Sequence, residues 1–331
     1  MYLEEELQTM WFNKENGFKK ITDLTRTKTP FLFVISFDTQ KIFASPLESL
    51  EKEIYYKLGD WRNYPPEKSA HKIFFDAFPV DFAHYKKTLE HIQEEIRAGN
   101  TYLLNLTFKT PINTNLTLKE IFTHANAKFK LYFKDEFICF SPEPFIEIKE
   151  NIIATYPMKG TIDANLSNAR STILNNEKEM AEHVMIVDLM RNDLGMIASE
   201  VNVEKFRYIE KIQAGEKELL QVSSKITAKL PENWQDHFGA LLSKILPAGS
   251  VSGTPKKSAV GIINRIEDYD RGFYTGIFGI YNNATVRSSV MIRFIEQENK
   301  KLFYKSGGGI TLDSEASSEY QELIDKIYLP L

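Results

Sequence analysis

Residues 276–305 read GIFGIYNNATVRSSVMIRFIEQENKKLFYK, and this stretch decides the fold class. Its runs of β-branched and aromatic residues predict a meander of antiparallel strands, Gly276 to Tyr281, Ala284 to Glu296 and Lys301 to Lys305. The triple glycine Gly307-Gly-Gly309 follows the meander, and a last helix is predicted from about Ser314 to Tyr328.

The rest of the chain groups strand signals and helix signals without a regular βαβ rhythm, which indicates an α+β fold. Strand signals lie at 30–37, 72–78 and 102–108, and from 129 to 154 with a break at 141–144. Helical spacing is found at 82–99, 175–194, 234–246 and 257–266. The helix at 175–194 is predicted to carry Met180, Val184, Val187 and Leu194 on its apolar face.

Composition restricts the function classes. The 331 residues include 41 basic and 45 acidic ones, a net charge of −4, which disfavours nucleic-acid binding by bulk charge. The start of the chain is acidic where a secretory leader would be basic, and no run of eighteen apolar residues occurs. We therefore expect a cytoplasmic protein without a membrane or nucleic-acid partner.

The only cysteine, Cys139, lies in the apolar run Glu136-Phe-Ile-Cys-Phe140. A single cysteine excludes an internal disulfide and a cysteine-rich zinc site. The apolar surroundings favour a buried structural thiol over a nucleophile.

Four glycine-bearing segments favour a small polyanionic ligand, because glycine lets backbone N–H groups approach an anion closely. They are 156–161, 247–256, 274–279 and 306–310. Each one alone is more often only a turn. The segment 247–256 is not a phosphate-binding P-loop, because Gly249 and Gly253 are too close and Thr254-Pro255 separates Gly253 from Lys256.

Two predicted helices carry glutamates at three-residue spacing, Glu179 with Glu182 and Glu319 with Glu322. This spacing places each pair on one helical face. Oxygen ligands of this kind suit Mg²⁺, which takes one or two carboxylates directly and keeps waters. On spacing alone, a solvated helix face is the more common interpretation.

Taken together, the motifs resemble those of the chorismate-utilising enzymes, and most closely the aminodeoxychorismate synthases among them. The resemblance covers roughly residues 85–330. It rests on 102–107, Ser141-Pro-Glu143, Pro157-Met-Lys-Gly-Thr161, 181–195, 247–256, 276–279, Ile292-Arg293, 307–310, Asp313-Ser314 and Glu319-Tyr-Gln-Glu322.

The resemblance implies two packed antiparallel β-sheets with helices on their outer faces. Residues 1–80 carry none of the motifs, so we expect them to be a shortened N-terminal part of the same fold. Residues 81–331 would form the chorismate-binding catalytic region.

The resemblance also implies an activity: chorismate and ammonia would give 4-amino-4-deoxychorismate on the para-aminobenzoate branch of folate synthesis. Lys159 would attack C2 of the ring, and Glu143 would protonate the leaving 4-hydroxyl. Anthranilate synthases usually have alanine where this chain has Lys159. A glutamine amidotransferase subunit would supply the ammonia.

The resemblance implies Mg²⁺ as the cofactor, with Glu182 and Glu322 as ligands and Glu179 and Glu319 acting through water. Arg293 and the amides of Gly307, Gly308 and Gly309 would bind a substrate carboxylate, and Tyr274 would donate a hydrogen bond. The remaining substrate contacts implied by the motifs are Gly160, Thr161 and Gln221.

Three positions depart from the family pattern. Gln221 stands where relatives commonly have a histidine, which favours amination without a later elimination. Met196 and Phe294 replace a frequent arginine and a frequent threonine. The alternatives are anthranilate synthase, isochorismate or salicylate synthase, and a catalytically silent chorismate-binding subunit.

Overall fold

The computed structural model describes residues 10–65, 73–214 and 217–331. The chain forms two compact units, each assembled from three segments. Unit 1 comprises Met1–Leu50, Glu143–Leu246 and Ile277–Val290, and unit 2 comprises Glu51–Pro142, Pro247–Gly276 and Met291–Leu331. Residues 1–80 are therefore shared between the two units, and their interpretation as a shortened N-terminal part stays a prediction.

The described strands are, in chain order, β1 (Phe31–Ile35), β2 (Ile42–Pro46), β3 (Ile54–Leu58), β4 (Trp61–Arg62), β5 (Phe75–Ala77), β6 (Leu103–Thr114), β7 (Phe129–Phe133), β8 (Phe137–Ser141), β9 (Pro144–Lys149), β10 (Ile152–Thr155), β11 (Met158–Asp163), β12 (Ser199–Ala214), β13 (Lys217–Lys229), β14 (Gly253–Thr254), β15 (Ile277–Asn282), β16 (Thr285–Val290), β17 (Phe294–Glu298) and β18 (Lys301–Ile310). The described α-helices are α1 (Lys14–Arg26), α2 (Phe82–Arg97), α3 (Leu118–His124), α4 (Ala169–Asn175), α5 (Glu177–Gly195), α6 (Phe238–Ile245), α7 (Lys256–Ile266) and α8 (Ala316–Asp325).

Unit 1 contains an antiparallel sheet in the order β11-β13-β10-β9-β16-β15-β1-β2, with β12 paired to β13. Every residue of β1 is buried, so this strand reads as a continuous apolar run. Aromatic rings form the core beside it: Phe31 stacks on Tyr281 at 5.6 Å, and Trp234 meets Phe238 edge to face.

Unit 2 contains a second antiparallel sheet, in the order β14-β6-β18-β17-β8-β7-β3-β4, with β5 paired to β6. Its core includes Phe122 of α3, Tyr132 of β7 and Tyr304 of β18. The α+β prediction is confirmed, and each unit holds one large antiparallel sheet with helices.

The helix α5 is predicted correctly in place but not in its buried face. Val187 and Leu194 are buried, whereas Met180 and Val184 are 38% and 46% exposed, so that part of the predicted apolar face is wrong. The helix instead turns Glu182 and His183 inward, where polar partners meet them. The apolar periodicity predicted the wrong face because the helix buries Glu182 and His183 in place of Met180 and Val184.

The stretch 276–305 forms two hairpins rather than one meander. β15 pairs with β16 in the unit 1 sheet, and β17 pairs with β18 in the unit 2 sheet. The predicted strand Ala284 to Glu296 is broken at residues 291–293, where Arg293 adopts a φ of +51°. β18 runs on to Ile310, so the triple glycine lies within a strand and not in a loop.

Two further elements differ from their prediction. The segment 156–161 also contains a strand, β11, and not only a turn. The predicted helix at 234–246 begins with a 3₁₀ turn, Trp234–His237, before α6. No described helix is both long and apolar enough to span a membrane.

Candidate functional site

Lys159 and Gly160 lie at a bulge at the start of β11. Met158 is opposite Ser223 of β13 and Thr161 is opposite Gln221, so one residue of β13 faces two residues of β11. A bulge of this kind re-aims side chains. Gly160 has a φ of +91°, a conformation that glycine adopts without strain.

The bulge directs the Lys159 side chain towards α5. Its Nζ lies 2.6 Å from Oε2 of Glu182, whose side chain is 5% exposed, while Lys178 Nζ is 3.9 Å from the other carboxylate oxygen. A Cβ on Gly160 would lie 3.2 Å from Oε2 of Glu179. The structure therefore brings together four predicted site residues: Lys159, Gly160, Glu179 and Glu182.

His183, the neighbour of Glu182, is fully buried, and its Nε2 lies 2.7 Å from Oγ of Ser224 on β13. Burial lowers the pKa of His183 to about 4, the positive charge of Arg207 lowers it further, and the Lys159 backbone opposes the shift. Nδ1 makes no hydrogen bond to a described residue. The ring is therefore neutral at pH 7, and Nε2 shares one hydrogen bond with the Ser224 hydroxyl.

The other predicted residues of unit 1 are on neighbouring strands. Thr161 and Gln221 are opposite each other in the β11–β13 ladder. Glu143 precedes β9, where its carbonyl accepts hydrogen bonds from Val290 N and Ser289 Oγ. The backbone of the predicted general acid is thus fixed to β16.

In unit 2, the triple glycine pairs with β6: Gly307 is opposite Thr107, Gly308 opposite Leu106 and Gly309 opposite Asn105. The N–H groups of Thr107 and Asn105 donate to Glu267 Oε1 and Ser252 O, away from β18. In an antiparallel ladder, two directly opposite residues either hydrogen-bond to each other or both direct their N–H and C=O groups away from each other. The Gly307 and Gly309 amides therefore point away from β6, and the Gly308 amide lies in the ladder.

The acidic pair of α8 lies against this glycine strand. A Cβ on Gly308 would be 3.7 Å from Glu322 Oε1 and 3.9 Å from Glu319 Oε2. Ser314 donates to Glu319 at 2.8 Å, and Lys326 Nζ lies 2.6 Å from Glu322 and 2.7 Å from the Gly307 carbonyl. Lys326 was not predicted, although its i, i+4 spacing from Glu322 was a signal for it.

Tyr274 and Arg293 are close enough for the charge of Arg293 to act on the Tyr274 phenol. Burial raises the pKa of Tyr274, so the phenol stays protonated and can donate a hydrogen bond. Burial alone would lower the pKa of Arg293, but the phenols of Tyr304 and Tyr328 reverse this and raise it. Nε of Arg293 is buried without a hydrogen bond to a described residue.

A buried ion pair supports β6 beneath the glycine strand. Glu267 and Arg271 are each 2% exposed and 2.6 Å apart. Glu267 accepts from Thr107, and Arg271 donates to the carbonyls of Asn105 and Val251. The pair thereby anchors β6 and the segment 247–256 and takes the place of a neighbouring strand. Its i, i+4 spacing was a signal for the ion pair, but not for its contacts with β6.

Each glutamate pair, taken by itself, offers oxygen donors of the type that Mg²⁺ takes, one or two at a time. Each pair offers carboxylate oxygens one helical turn apart, and Glu182 and Glu319 are only 4% and 8% exposed. Lys159 meets the buried carboxylate of Glu182, whereas Lys326 meets the half-exposed carboxylate of Glu322 and the buried Glu319 accepts a hydrogen bond from Ser314. Within the described ranges, no three or more His, Cys, Asp or Glu side chains lie close enough to hold a metal ion.

Cys139 is fully buried in β8, and burial raises the pKa of its thiol. This confirms the expected structural thiol.

A surface groove of about 470 Å³ lies between α1 and α6, and none of the predicted site residues lines it.

The chain is similar in sequence and in fold to several known proteins. Over 307 residues the chain is 48% identical to a PabA-like protein of Haemophilus influenzae, covering 92% of this chain and 94% of that protein. It is 27% identical over 345 residues to aminodeoxychorismate synthase component 1 of Bacillus subtilis, covering 93% of this chain and 72% of that protein.

The menaquinone-specific isochorismate synthase of Escherichia coli has a similar fold. Its TM-score is 0.72 at 15% identity, covering 96% of this chain and 82% of that one. Residues 44–331 match the family described as chorismate binding enzyme. Because this match spans most of the sequence, the chain belongs to the chorismate-binding enzyme family.

Proposed function

We propose that this chain is the synthase component of an aminodeoxychorismate synthase, which converts chorismate and ammonia into 4-amino-4-deoxychorismate. The observation that carries the proposal is the placement of Lys159. Its amine projects from a strand bulge and lies 2.6 Å from the carboxylate of Glu182. A relative is named for this activity.

Lys159 is the proposed nucleophile. The Lys159 side chain is 25% exposed, so its ammonium can lose a proton to solvent before attack, and Glu182 Oε2, 2.6 Å from Nζ, orients the amine. The amine then forms a bond to C2 of the ring, the ring electrons shift, and the C4–O bond breaks. Glu143 donates the proton with which the hydroxyl leaves as water.

Ammonia adds at C4 in the second half of the reaction, and the C2–N bond to Lys159 breaks. The enolpyruvyl group is retained, which separates this product from anthranilate. Gln221 lacks the imidazolium that could assist an elimination, and it therefore favours the amination product.

The substrate carboxylates would be bound by charged and polar groups of the chain. In unit 2 these are Arg293, with its buried Nε, the outward-pointing amides of Gly307 and Gly309, Gly308 beside them, and the protonated phenol of Tyr274. In unit 1 they are Gly160, Thr161 and Gln221.

Mg²⁺ is the proposed cofactor. In unit 1 Glu182, with Glu179, would supply oxygen ligands, and in unit 2 Glu322, with Glu319, would do so; the ion would neutralise the charge of a substrate carboxylate. A glutamine amidotransferase is the proposed source of ammonia. We further propose that the reaction belongs to folate synthesis and takes place in the cytoplasm.

Product identification tests the proposal. The chain is incubated with chorismate, Mg²⁺ and ammonium, and the product is identified by chromatography and mass. We expect 4-amino-4-deoxychorismate. If the product is anthranilate, isochorismate or salicylate, the chain is the synthase of that product and the proposal is wrong. If the chain binds chorismate without converting it, the chain is a silent binding subunit.

A further inference from the structure

We propose that Ser224 and His183 are positioning residues that hold the Lys159–Gly160 bulge so that the Lys159 amine faces Glu182. This inference rests on the proposed role of Lys159. Neither residue touches the reacting atoms in the proposed reaction, and both act through the backbone and the helix that carry the site.

Ser224 joins three elements at one point. Its backbone N–H donates to the carbonyl of Pro157, immediately before β11. Its Oγ accepts from the backbone N–H of Arg207 on β12 at 2.9 Å and bonds His183 Nε2 on α5 at 2.7 Å. Since Ser224 and His183 are fully buried, water cannot replace these bonds without entering the core.

His183 carries the connection from Ser224 to the site. Its ring is near the Lys159 backbone, and the preceding residue on α5 is Glu182. The His183 side chain thus fixes the position of α5, which carries Glu182, relative to β11, which carries Lys159. A shift of α5 relative to β11 would separate the two partners of the 2.6 Å ion pair.

Arg207 supports the bulge from the other side. Its guanidinium donates to the carbonyls of Leu174 at 2.8 Å and Ile173 at 3.0 Å, at the end of α4. Ile173 in turn lies 3.6 Å from the position of a Cβ on Gly160. The bulge is therefore held between α4 and α5. Ser224 is connected to α4 through Arg207 and to α5 through His183.

The test compares Ser224→Ala with the matched control Ser223→Ala. Ser223 is the adjacent buried serine of β13, but its hydroxyl donates to Glu210 and not to His183. We expect Ser224→Ala to lower kcat for amination by about tenfold or more with little change in KM for chorismate, because misplacement acts on the reacting geometry. Ser224→Thr, which keeps the hydroxyl, should restore part of the rate.

A second readout does not depend on catalysis. Each protein is treated with limiting acetic anhydride without substrate, and acetylation of Lys159 relative to the exposed Lys87 is followed by peptide mass spectrometry. The ion pair and partial burial slow acylation of Lys159 in the wild type. We expect several-fold faster relative labelling in Ser224→Ala and in His183→Gln, and no change in Ser223→Ala.

The two readouts separate the two claims. A wild type that makes no 4-amino-4-deoxychorismate would refute the proposed function, whereas the labelling ratio would still test positioning. Folded Ser224→Ala and His183→Gln proteins, checked by circular dichroism, with wild-type labelling of Lys159 would overturn the inference. If Ser224→Ala does not fold, His183→Gln and Ser224→Thr decide it by the same ratio.

Discussion

At the scale of single residues, Gly160 combines two constraints that other residues of β11 do not share. Its φ of +91° strains an L-residue, and a Cβ added there would lie 3.2 Å from Glu179 Oε2. We expect Gly160→Ala to lower the free energy of unfolding by about 1–2 kcal/mol, the usual cost of a left-handed conformation, and to reduce amination because Glu179 must move.

Gly195 provides the control for this substitution. It ends α5, it has no positive φ, and a Cβ there would meet no atom within 4 Å. Gly195→Ala should leave the unfolding free energy unchanged or raise it by a few tenths of a kcal/mol, up to ~1. Urea denaturation of both variants measures the difference; equal stabilities would show that the bulge tolerates a side chain.

At the scale of elements, the end of α3 is closed by a buried lysine of β7. Lys130 is 2% exposed, and its ammonium donates to the carbonyls of Phe122 and Ala125, both at 2.7 Å. The rings of Phe122 and Tyr64 lie 4.6 and 4.8 Å from Nζ. Burial, together with the charge of Lys57, lowers the pKa of Lys130 to about 7.

This lowered pKa predicts a pH-dependent stability. Between pH 7 and about 10.4, the usual lysine value, the unfolded chain binds more protons at this position than the folded chain. Stability must therefore rise with pH in this window. Relative to Lys130→Met, the wild-type unfolding free energy should rise by about 1 kcal/mol per pH unit above pH 7.

Urea denaturation at pH 6.5, 8 and 9.5 checks this, with Lys128→Met, at an exposed neighbouring lysine, as the control. A constant difference between wild type and Lys130→Met over this range would contradict the burial argument for Lys130.

The glutamate pairs belong to α5 and α8 and predict a metal dependence. Glu182→Gln and Glu322→Gln should each raise the Mg²⁺ concentration needed for half-maximal activity by orders of magnitude, since each loses an anionic ligand. Titration calorimetry with Mg²⁺ gives a readout independent of turnover. Glu177→Gln, at the exposed start of α5, is the control. An unchanged Mg²⁺ requirement in both variants would show that the glutamates are solvated side chains of their helices and not metal ligands.

The sequence predicted these helices and most strands because their periodicity is local. It did not predict that 276–305 divides between two sheets, since a strand break at Arg293 depends on tertiary partners. Lys159 and the glutamates could be found from motif and spacing. The roles of Ser224 and Arg207, and the contact of the Glu267–Arg271 pair with β6, could not, because these partners lie far apart in the sequence.

At the scale of the whole molecule, the nitrogen source tests the need for a partner. Glutamine hydrolysis in amidotransferases of the kind proposed here needs an activated cysteine, and Cys139 is fully buried with a raised pKa. Ammonium at high pH should support turnover by the purified chain, and glutamine should not until a glutaminase subunit is added. Glutamine-dependent product formation by this chain alone, surviving Cys139→Ser, would contradict this.

The central claim is that Lys159 forms a covalent bond to chorismate before ammonia adds. Rapid quenching of the chain with chorismate and Mg²⁺, without ammonia, followed by peptide mass spectrometry measures this directly. We predict that the Lys159 peptide gains the mass of chorismate less one water, that ammonium removes the adduct, and that Lys159→Ala binds chorismate without forming it. Amination at full rate by Lys159→Ala, or turnover with no adduct on the Lys159 peptide at any time, would contradict the account.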